Sequence, residues 1–154
     1  IRILGQKAGI YGMIGGQVVD VKSSGKKIDG EKLEFIYRLK TGALIEASMM
    51  AGAILGGADE EQTAQIEKAA SAIGLAFQIQ DDILDVTSTS QELGKPVHSD
   101  EKNNKVTYVT LFGVEQASEQ VQKLSEQAEA VLEGLSSKNK FLTALVMEMA
   151  SRRK

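Results

Sequence analysis

The chain has 154 residues, of which 42% are hydrophobic and 25% are charged, and its net charge is −3. This length and apolar content suit one domain with its own core, and the charge argues against the broad basic surface that nucleic-acid binding requires. The absence of cysteine excludes disulfides and thiolate metal sites and favours a cytoplasmic location.

The composition favours helices over strands. There is one Pro and no Trp, in a background rich in Ala, Leu, Glu, Lys and Gln, which are good helix formers. We therefore expect an all-α fold. The longest apolar-leaning stretch, residues 42–57, contains Glu46 and falls short of the roughly 20 residues that a bilayer span needs, so no stable membrane span is expected.

Helical spacing predicts a first helix from Ile1 to about Val21. Gly5, Gly9, Gly12 and Gly16 recur at intervals of four, three and four, which would place them on one face of that helix. A glycine face allows close approach of a neighbouring helix or ligand, although a loop would also explain so many glycines. Because the chain starts with Ile1 rather than Met and shows no signal segment, we expect a piece of a longer protein.

The remaining helices have clearer start and stop signals. A second helix is predicted from Leu33 to Gly56, and a third from an N-cap at Asp59, with Gln62 at the capping-box position, to about Val86. A break rich in Ser, Thr and Asn follows. The predicted elements after it are a short helix at 106–112 and two amphipathic helices at 114–135 and 141–152.

Three aspartates stand at the end of the third predicted helix. The i, i+4 spacing puts Asp81 and Asp85 one turn apart on one face, with Gln78 on the same stripe and Asp82 beside it. Two partly buried carboxylates about 5 Å apart would repel by roughly 3 kcal/mol at an effective dielectric of 20. The apolar neighbours favour partial burial, and a cation would remove the repulsion. A solvated acidic face is the alternative.

Basic residues occur on both sides of these aspartates in the sequence. Lys40 precedes them, and Lys95 and Lys105 follow in or at the end of the long break. Each alone would be an ordinary exposed lysine, but an acidic cluster with three cations suits a diphosphate leaving group. Oxygen ligands without His or Cys favour a hard ion such as Mg²⁺, which takes one or two carboxylates together with phosphate oxygens.

Five motifs, in this order and spacing, resemble those of the trans-polyprenyl diphosphate synthases, and the farnesyl diphosphate type in particular. The resemblance covers the chain to about Gly113, and the last two helices fit the less distinctive end of the family. It implies that residues 1–154 form the C-terminal half of the isoprenoid synthase helical bundle. The motifs are Gly16-Gln17-x-x-Asp20, Lys40-Thr41-Gly42, Phe77-Gln78-Ile79-Gln80-Asp81-Asp82-x-x-Asp85, Gly94-Lys95 and Asp100-x-x-x-x-Lys105-x-Thr107-Tyr108.

The resemblance also implies a metal site and two substrates. Asp81 resembles the Mg²⁺ ligand of the second aspartate-rich motif, with Asp82 and Asp85 in support, and Asp20 and Asp100 resemble residues near the metal-bound water. The substrates implied are an allylic diphosphate and isopentenyl diphosphate. The implied substrate-binding residues are Gln17, Lys40, Thr41, Phe77, Gln78, Lys95 and Lys105, of which Lys40, Thr41 and Gln78 would be catalytic.

The first aspartate-rich motif, its Arg-Arg pair and the Gly-Gly-Lys-Arg element have no counterpart in this chain. We therefore expect an Mg²⁺-dependent prenyltransferase as the intact protein and an inactive fragment when this chain is alone. The sequence leaves the product length and the allylic substrate open, because the residues that set chain length in the family would precede Ile1.

Other interpretations remain at this point. The chain could be a non-catalytic helical partner or regulatory subunit of a full-length synthase, or a helical bundle whose acidic turn is solvated. A class I terpene cyclase has similar metal chemistry but a different second metal motif. Uncovered apolar helix faces would favour association, so we expect a homo-oligomer, as in a homodimeric synthase.

Overall fold

A computed structural model of the chain describes residues 1–88, 105–136 and 139–152. In these three ranges the regular structure is entirely helical, which confirms the predicted all-α class. The elements are α1 (Arg2–Ala8), α2 (Met13–Ser23), α3 (Gly30–Tyr37), a π-helical segment (Arg38–Gly42), α4 (Ala43–Leu55), α5 (Glu60–Thr87), α6 (Tyr108–Gly134) and α7 (Lys140–Ser151).

The predicted first helix is wrong in one respect, because it is two helices. α1 ends at Gly9, whose backbone is extended (φ −74°, ψ −166°), and α2 starts after Gly12, which is also non-helical (φ −131°, ψ −126°). The glycines in this stretch lower the cost of leaving the helical conformation. They therefore do not share one helical face, and the close approach to another helix is made by Gly16.

The predicted second helix is confirmed as a nearly continuous run from α3 to α4. Its N-cap is Asp29, whose side chain accepts a hydrogen bond of 2.9 Å from the backbone N–H of Lys32. The π segment that joins α3 to α4 was not predicted. Such π-helical insertions occur often at functional sites, and this one carries Lys40 and Thr41.

The start of α5 confirms the predicted capping box. The Asp59 side chain accepts from the Gln62 N–H at 2.8 Å, and the Gln62 side chain accepts from the Asp59 N–H at 3.0 Å. The helix then runs for 28 residues, or about 42 Å at 1.5 Å per residue.

α6 starts with a second capping box at Thr107 and is interrupted at Gly113 (φ 82°), so the two helices predicted here meet at a kink.

α5 is the central element of the described fold. It packs against α4 and the π segment on one side and against α6 and α7 on the other. Near its C-terminal end, Leu75 and Ile79 lie in one buried cluster with residues of α3 and α6. Near its N-terminal end, Ile66 and Ile73 lie in a second cluster with residues of α6 and α7.

Glycines bring the π segment very close to both of its neighbours. A Cβ added to Gly74 on α5 would lie 2.7 Å from the Gly42 Cα, and one added to Gly16 on α2 would lie 2.5 Å from the Lys40 backbone nitrogen. Real Cβ atoms do not approach other atoms so closely. Hydrogen in place of a side chain therefore lets three backbones stack directly.

An ion cluster ties α1 to the rest of the bundle. The Lys7 ammonium contacts the Glu46 carboxylate of α4 and lies 2.5 Å from the Glu67 carboxylate of α5. Burial lowers the pKa of Lys7, but the hydrogen bonds to Glu46 and Glu67 and their charges outweigh it, so the pKa lies above its usual value. Lys7 therefore remains charged at physiological pH and holds α1 in place.

None of the helices in the described ranges combines the length and apolarity required to cross a membrane.

We expect Gly74→Ala to lower the free energy of unfolding by about 1–3 kcal/mol, because the new methyl group meets backbone atoms that cannot turn aside. The matched control is Gly52→Ala in α4, where nothing lies within 4 Å of the added Cβ. That change should stabilise the fold by about 0.5–1 kcal/mol through helix propensity. Urea unfolding followed by circular dichroism measures both, and equal effects would contradict the close packing.

Candidate active site

The C-terminal end of α5 faces the π segment. Thr41 Oγ donates a hydrogen bond of 2.9 Å to Gln78 Oε1, so these two predicted site residues are brought together. The close contact between Gly42 and Gly74 lies one helical turn before Gln78 on α5. It sets the distance between the π segment and α5 at this point. The side-chain oxygens of Thr41 and Gln78 thus form one polar patch between two helices.

Lys40, the neighbour of Thr41, contacts α2. Its Nζ lies 2.6 Å from Asp20 Oδ2, and both side chains are half-exposed. The Gly16–Lys40 backbone contact, one turn before Asp20, aligns the two helices for this ion pair. Two more predicted residues, Lys40 and Asp20, therefore come together, and the carboxylate orients the ammonium. Gln17, on the same helix, is exposed.

Asp82 lies in the core. It is 4% exposed, and its Oδ2 accepts hydrogen bonds from the Tyr37 hydroxyl at 2.6 Å and from the Tyr108 backbone N–H at 2.8 Å. These bonds fasten α5 to the end of α3 and to the start of α6. The sequence identified the carboxylate but missed both donors, since Tyr37 and Tyr108 lie 45 and 26 residues away.

Tyr108 is held by packing as well as by this bond. Its ring lies 4.6 Å from the Phe112 ring, measured between centroids, at a tilt of 46°. Burial, and to a lesser extent the Glu34 carboxylate, raises the pKa of the Tyr108 phenol. The phenol is therefore neutral at physiological pH. Its packing holds Tyr108 in place, so that the backbone N–H can orient Asp82.

The other two aspartates differ in their surroundings. Asp85 is 4% exposed. Asp81 faces outward, and its Oδ1 lies 3.0 Å from the guanidinium of Arg152, which is the last residue that the structure describes. In the described ranges no three Asp, Glu, His or Cys side chains converge as a ready metal cage. Mg²⁺ commonly uses only one or two protein carboxylates, so the carboxylate oxygens of Asp81 are suitable donor atoms for this ion.

Arg152 is a site residue that sequence reasoning missed. Its guanidinium carbon lies 3.9 Å from the centre of the Phe77 ring, and its backbone carbonyl accepts a hydrogen bond from Gln80. The final helix looks purely structural in the sequence, and no motif marks its end. Only the packing of α7 along α5 brings residues 71 positions apart into contact.

The remaining predicted residues lie at the edge of the site or beyond it. Lys105 is exposed and, with Asp20 and Tyr37, lines a cavity of about 250 Å³ between α2, α3 and the start of α6. Ser23 is buried in the same wall. Lys95 and Asp100 lie outside the described residues.

A larger, mostly apolar cavity of about 620 Å³ lies at the opposite end of α5, among α4, α6 and α7. Gln62, which lines it, is 19 residues from Asp81, or about 28 Å along the helix. The polar site and this cavity are therefore separate features of the bundle.

Residues 6–145 match the polyprenyl synthetase family. The chain is 45% identical over 121 residues to the farnesyl diphosphate synthase of Geobacillus stearothermophilus, covering 79% of this chain and 41% of that protein. It is 48% identical over 136 residues to a chloroplastic geranylgeranyl pyrophosphate synthase of Catharanthus roseus, covering 86% of this chain and 38% of that protein. The chain thus spans about two fifths of these relatives' length.

Solved structures show the same relationship. The geranyltransferase of Helicobacter pylori, complexed with magnesium and isoprenyl diphosphate, superposes with a TM-score of 0.81 at 33% identity, over 97% of this chain and 49% of that one. The heptaprenyl diphosphate synthase of Staphylococcus aureus, at 22% identity, shares the fold with a TM-score of 0.90 over 99% of this chain and 59% of that one. The family resemblance read from the motifs is confirmed: this chain belongs to the polyprenyl synthetase family.

Proposed function

We propose that this chain provides the second aspartate-rich half of a prenyltransferase active site, which joins an allylic diphosphate to isopentenyl diphosphate. The observation that carries the proposal is the Thr41–Gln78 hydrogen bond, because it connects the segment bearing Lys40 to the helix bearing Asp81. The relatives of the chain are farnesyl and geranylgeranyl diphosphate synthases, which supports this reaction class.

In the proposed reaction, the allylic C–O bond breaks and diphosphate departs. The double bond of isopentenyl diphosphate then attacks the allylic cation, and the departing diphosphate accepts the proton that the product loses. Mg²⁺, held by Asp81 with support from Asp85, would stabilise the negative charge on the departing diphosphate. Lys40 would add a second positive charge, since its ammonium is already oriented by Asp20.

Thr41 and Gln78 would act on the carbon side of the reaction. Because their side chains are hydrogen-bonded to each other, their oxygen atoms have fixed positions and need little reorganisation when positive charge develops on the allylic carbon. Phe77, one residue earlier on α5, would form an apolar wall of the substrate pocket. Lys95, Lys105 and Gln17 would complete the contacts to the diphosphates and the allylic chain, with Asp100 near the metal-bound water.

The role proposed for Asp82 is positioning rather than direct metal binding. Its Oδ2 accepts hydrogen bonds from Tyr37 and Tyr108, and the side chain is buried. A buried carboxylate that accepts two such bonds holds its helix in register against the elements that donate them. Asp82 would therefore fix the axial position of α5 relative to α3 and α6, so that Asp81 can reach the diphosphate.

We expect a chimera that joins this chain to the uncovered part of the Geobacillus stearothermophilus enzyme to form prenyl diphosphate products from labelled isopentenyl diphosphate. The chain alone should form none. Asp81→Asn in the chimera should lower kcat/KM by about 100-fold, because a charge that acts on the transition state is lost. Glu119→Gln, an exposed change on α6, is the control. An inactive chimera that is fully folded would favour the non-catalytic partner instead.

Tyr37→Phe should lower the free energy of unfolding by about 1–3 kcal/mol, because it leaves the buried Asp82 carboxyl with one hydrogen bond fewer. Asp82→Asn should cost a similar amount. Urea unfolding monitored by circular dichroism measures both changes. Loss of Mn²⁺ affinity in Asp82→Asn without any loss of stability would show that Asp82 is a metal ligand instead.

We also propose that the protein is cytoplasmic and forms a homo-oligomer, and an apolar stripe on α2 supports the association. Ile14, Val18 and Val21 recur at intervals of four and three and are exposed, as are Ile10 and Tyr11 just before the helix. Exposed patches of this kind commonly mark association surfaces.

We expect Ile14→Lys with Val18→Lys to shift the protein to a monomer, because two charges in the stripe would have to be desolvated on association. Sedimentation velocity measures the change. The control is Leu55→Lys, which alters an exposed apolar residue at the end of α4. A chain that is already monomeric, or an assembly that survives both changes, would exclude α2 as the interface.

A further inference from the structure

One face of α5 contacts Arg152, the residue that follows α7. Phe77, Gln80 and Asp81 are spaced i, i+3 and i+4, so they lie on the same helical face, and all three contact Arg152. The guanidinium lies 3.9 Å from the Phe77 ring centre and 3.0 Å from Asp81 Oδ1, and Gln80 Nε2 donates to the Arg152 carbonyl at 3.1 Å. The ring and the carboxylate thus contact the guanidinium, and the amide contacts the backbone of the same residue.

This contact is more buried than a typical surface ion pair. The Arg152 side chain is 22% exposed and that of Asp81 is 39% exposed. Arg152 Nε is fully buried and has no hydrogen-bond partner among the described residues, so the guanidinium has given up part of its hydration. The stacking on Phe77 and the carboxylate of Asp81 compensate for this loss.

The contact also involves two residues that the proposed function uses. Asp81 is the proposed metal ligand, and Phe77 is the proposed pocket wall. Mg²⁺ requires short oxygen contacts of about 2.0–2.1 Å and a nearly ideal octahedral shell. A guanidinium bonded to the same carboxylate would repel the ion and obstruct that shell.

We infer that Arg152 is an internal counter-cation that competes with the metal ion for Asp81. This inference rests on the proposed function. Arg152 is a positioning residue: it neutralises and orients the Asp81 carboxylate, and metal binding displaces it from Phe77 and Asp81 together. The end of α7 is thereby coupled to occupancy of the site, because the same displacement frees the Arg152 backbone from Gln80.

The affinity of the full 154-residue chain for Mn²⁺, measured by electron paramagnetic resonance, tests the competition. Arg152→Met keeps an apolar side chain over Phe77 but removes the charge, and it should tighten Mn²⁺ binding about fivefold, the effect expected when a half-exposed ion pair no longer has to be broken. Arg152→Lys retains the charge but cannot stack as a planar group, so its Mn²⁺ affinity should lie between those of the wild type and Arg152→Met. Arg2→Met removes an exposed arginine of α1 and is the control.

Nuclear magnetic resonance of ¹⁵N-labelled arginine reports the displacement itself. The chain has four arginines, so the Arg152 Nε–H signal can be assigned by its disappearance in Arg152→Met. Adding Mg²⁺ should shift this signal towards that of a solvated guanidinium and leave the Arg38 signal unchanged.

The outcomes separate the inference from the proposed function. Equal Mn²⁺ affinities in the wild type and Arg152→Met, with binding lost in Asp81→Asn, would overturn the competition and leave the metal role of Asp81 intact. If Asp81→Asn binds Mn²⁺ as the wild type does, or if Arg152→Met binds none, Asp81 is not the ligand, and both the inference and the proposed metal site fail.

Discussion

The candidate site depends on the close backbone contacts of the π segment with α2 and α5. Gly16 and Gly74 have no Cβ, so the segment can lie directly against both helices, at distances that any side chain would prevent. This packing places Lys40 opposite Asp20 and Thr41 opposite Gln78. Widening either contact would separate these polar pairs, even though none of the groups that form them had changed. The glycines therefore determine the geometry of the site without contributing any polar side chain to it.

The three aspartates of α5 have different environments because the helix turns by about 100° per residue. Asp81 faces the half-exposed side and pairs with Arg152, whereas its neighbour Asp82 faces the core and accepts from Tyr37 and Tyr108. Two adjacent, chemically identical side chains thus have different surroundings. One is half-exposed and ion-paired, and the other is buried and joins its helix to α3 and α6.

Local signals predicted the parts of the fold that are determined locally. The capping box at Asp59 fixed the start of α5, and the apolar spacing found the long helices. Contacts between distant segments were not predictable, and these include Tyr37 with Asp82 and Arg152 with Asp81. The break between α1 and α2 was missed because glycine tolerates helix and loop alike.

Several charged groups of the site have a partner of opposite charge or a strong hydrogen bond within the chain. Lys40 has Asp20, Asp81 has Arg152, and Asp82 has the Tyr37 hydroxyl. Binding of a metal–diphosphate pair would therefore exchange partners rather than satisfy isolated charges. The free energy of binding is then a difference between two paired states, which is smaller than either pairing alone. The internal partners also hold the side chains in defined positions, so less conformational entropy is lost when ligands replace them. A site built in this way gives up some affinity for its ligands and gains geometric order before they arrive.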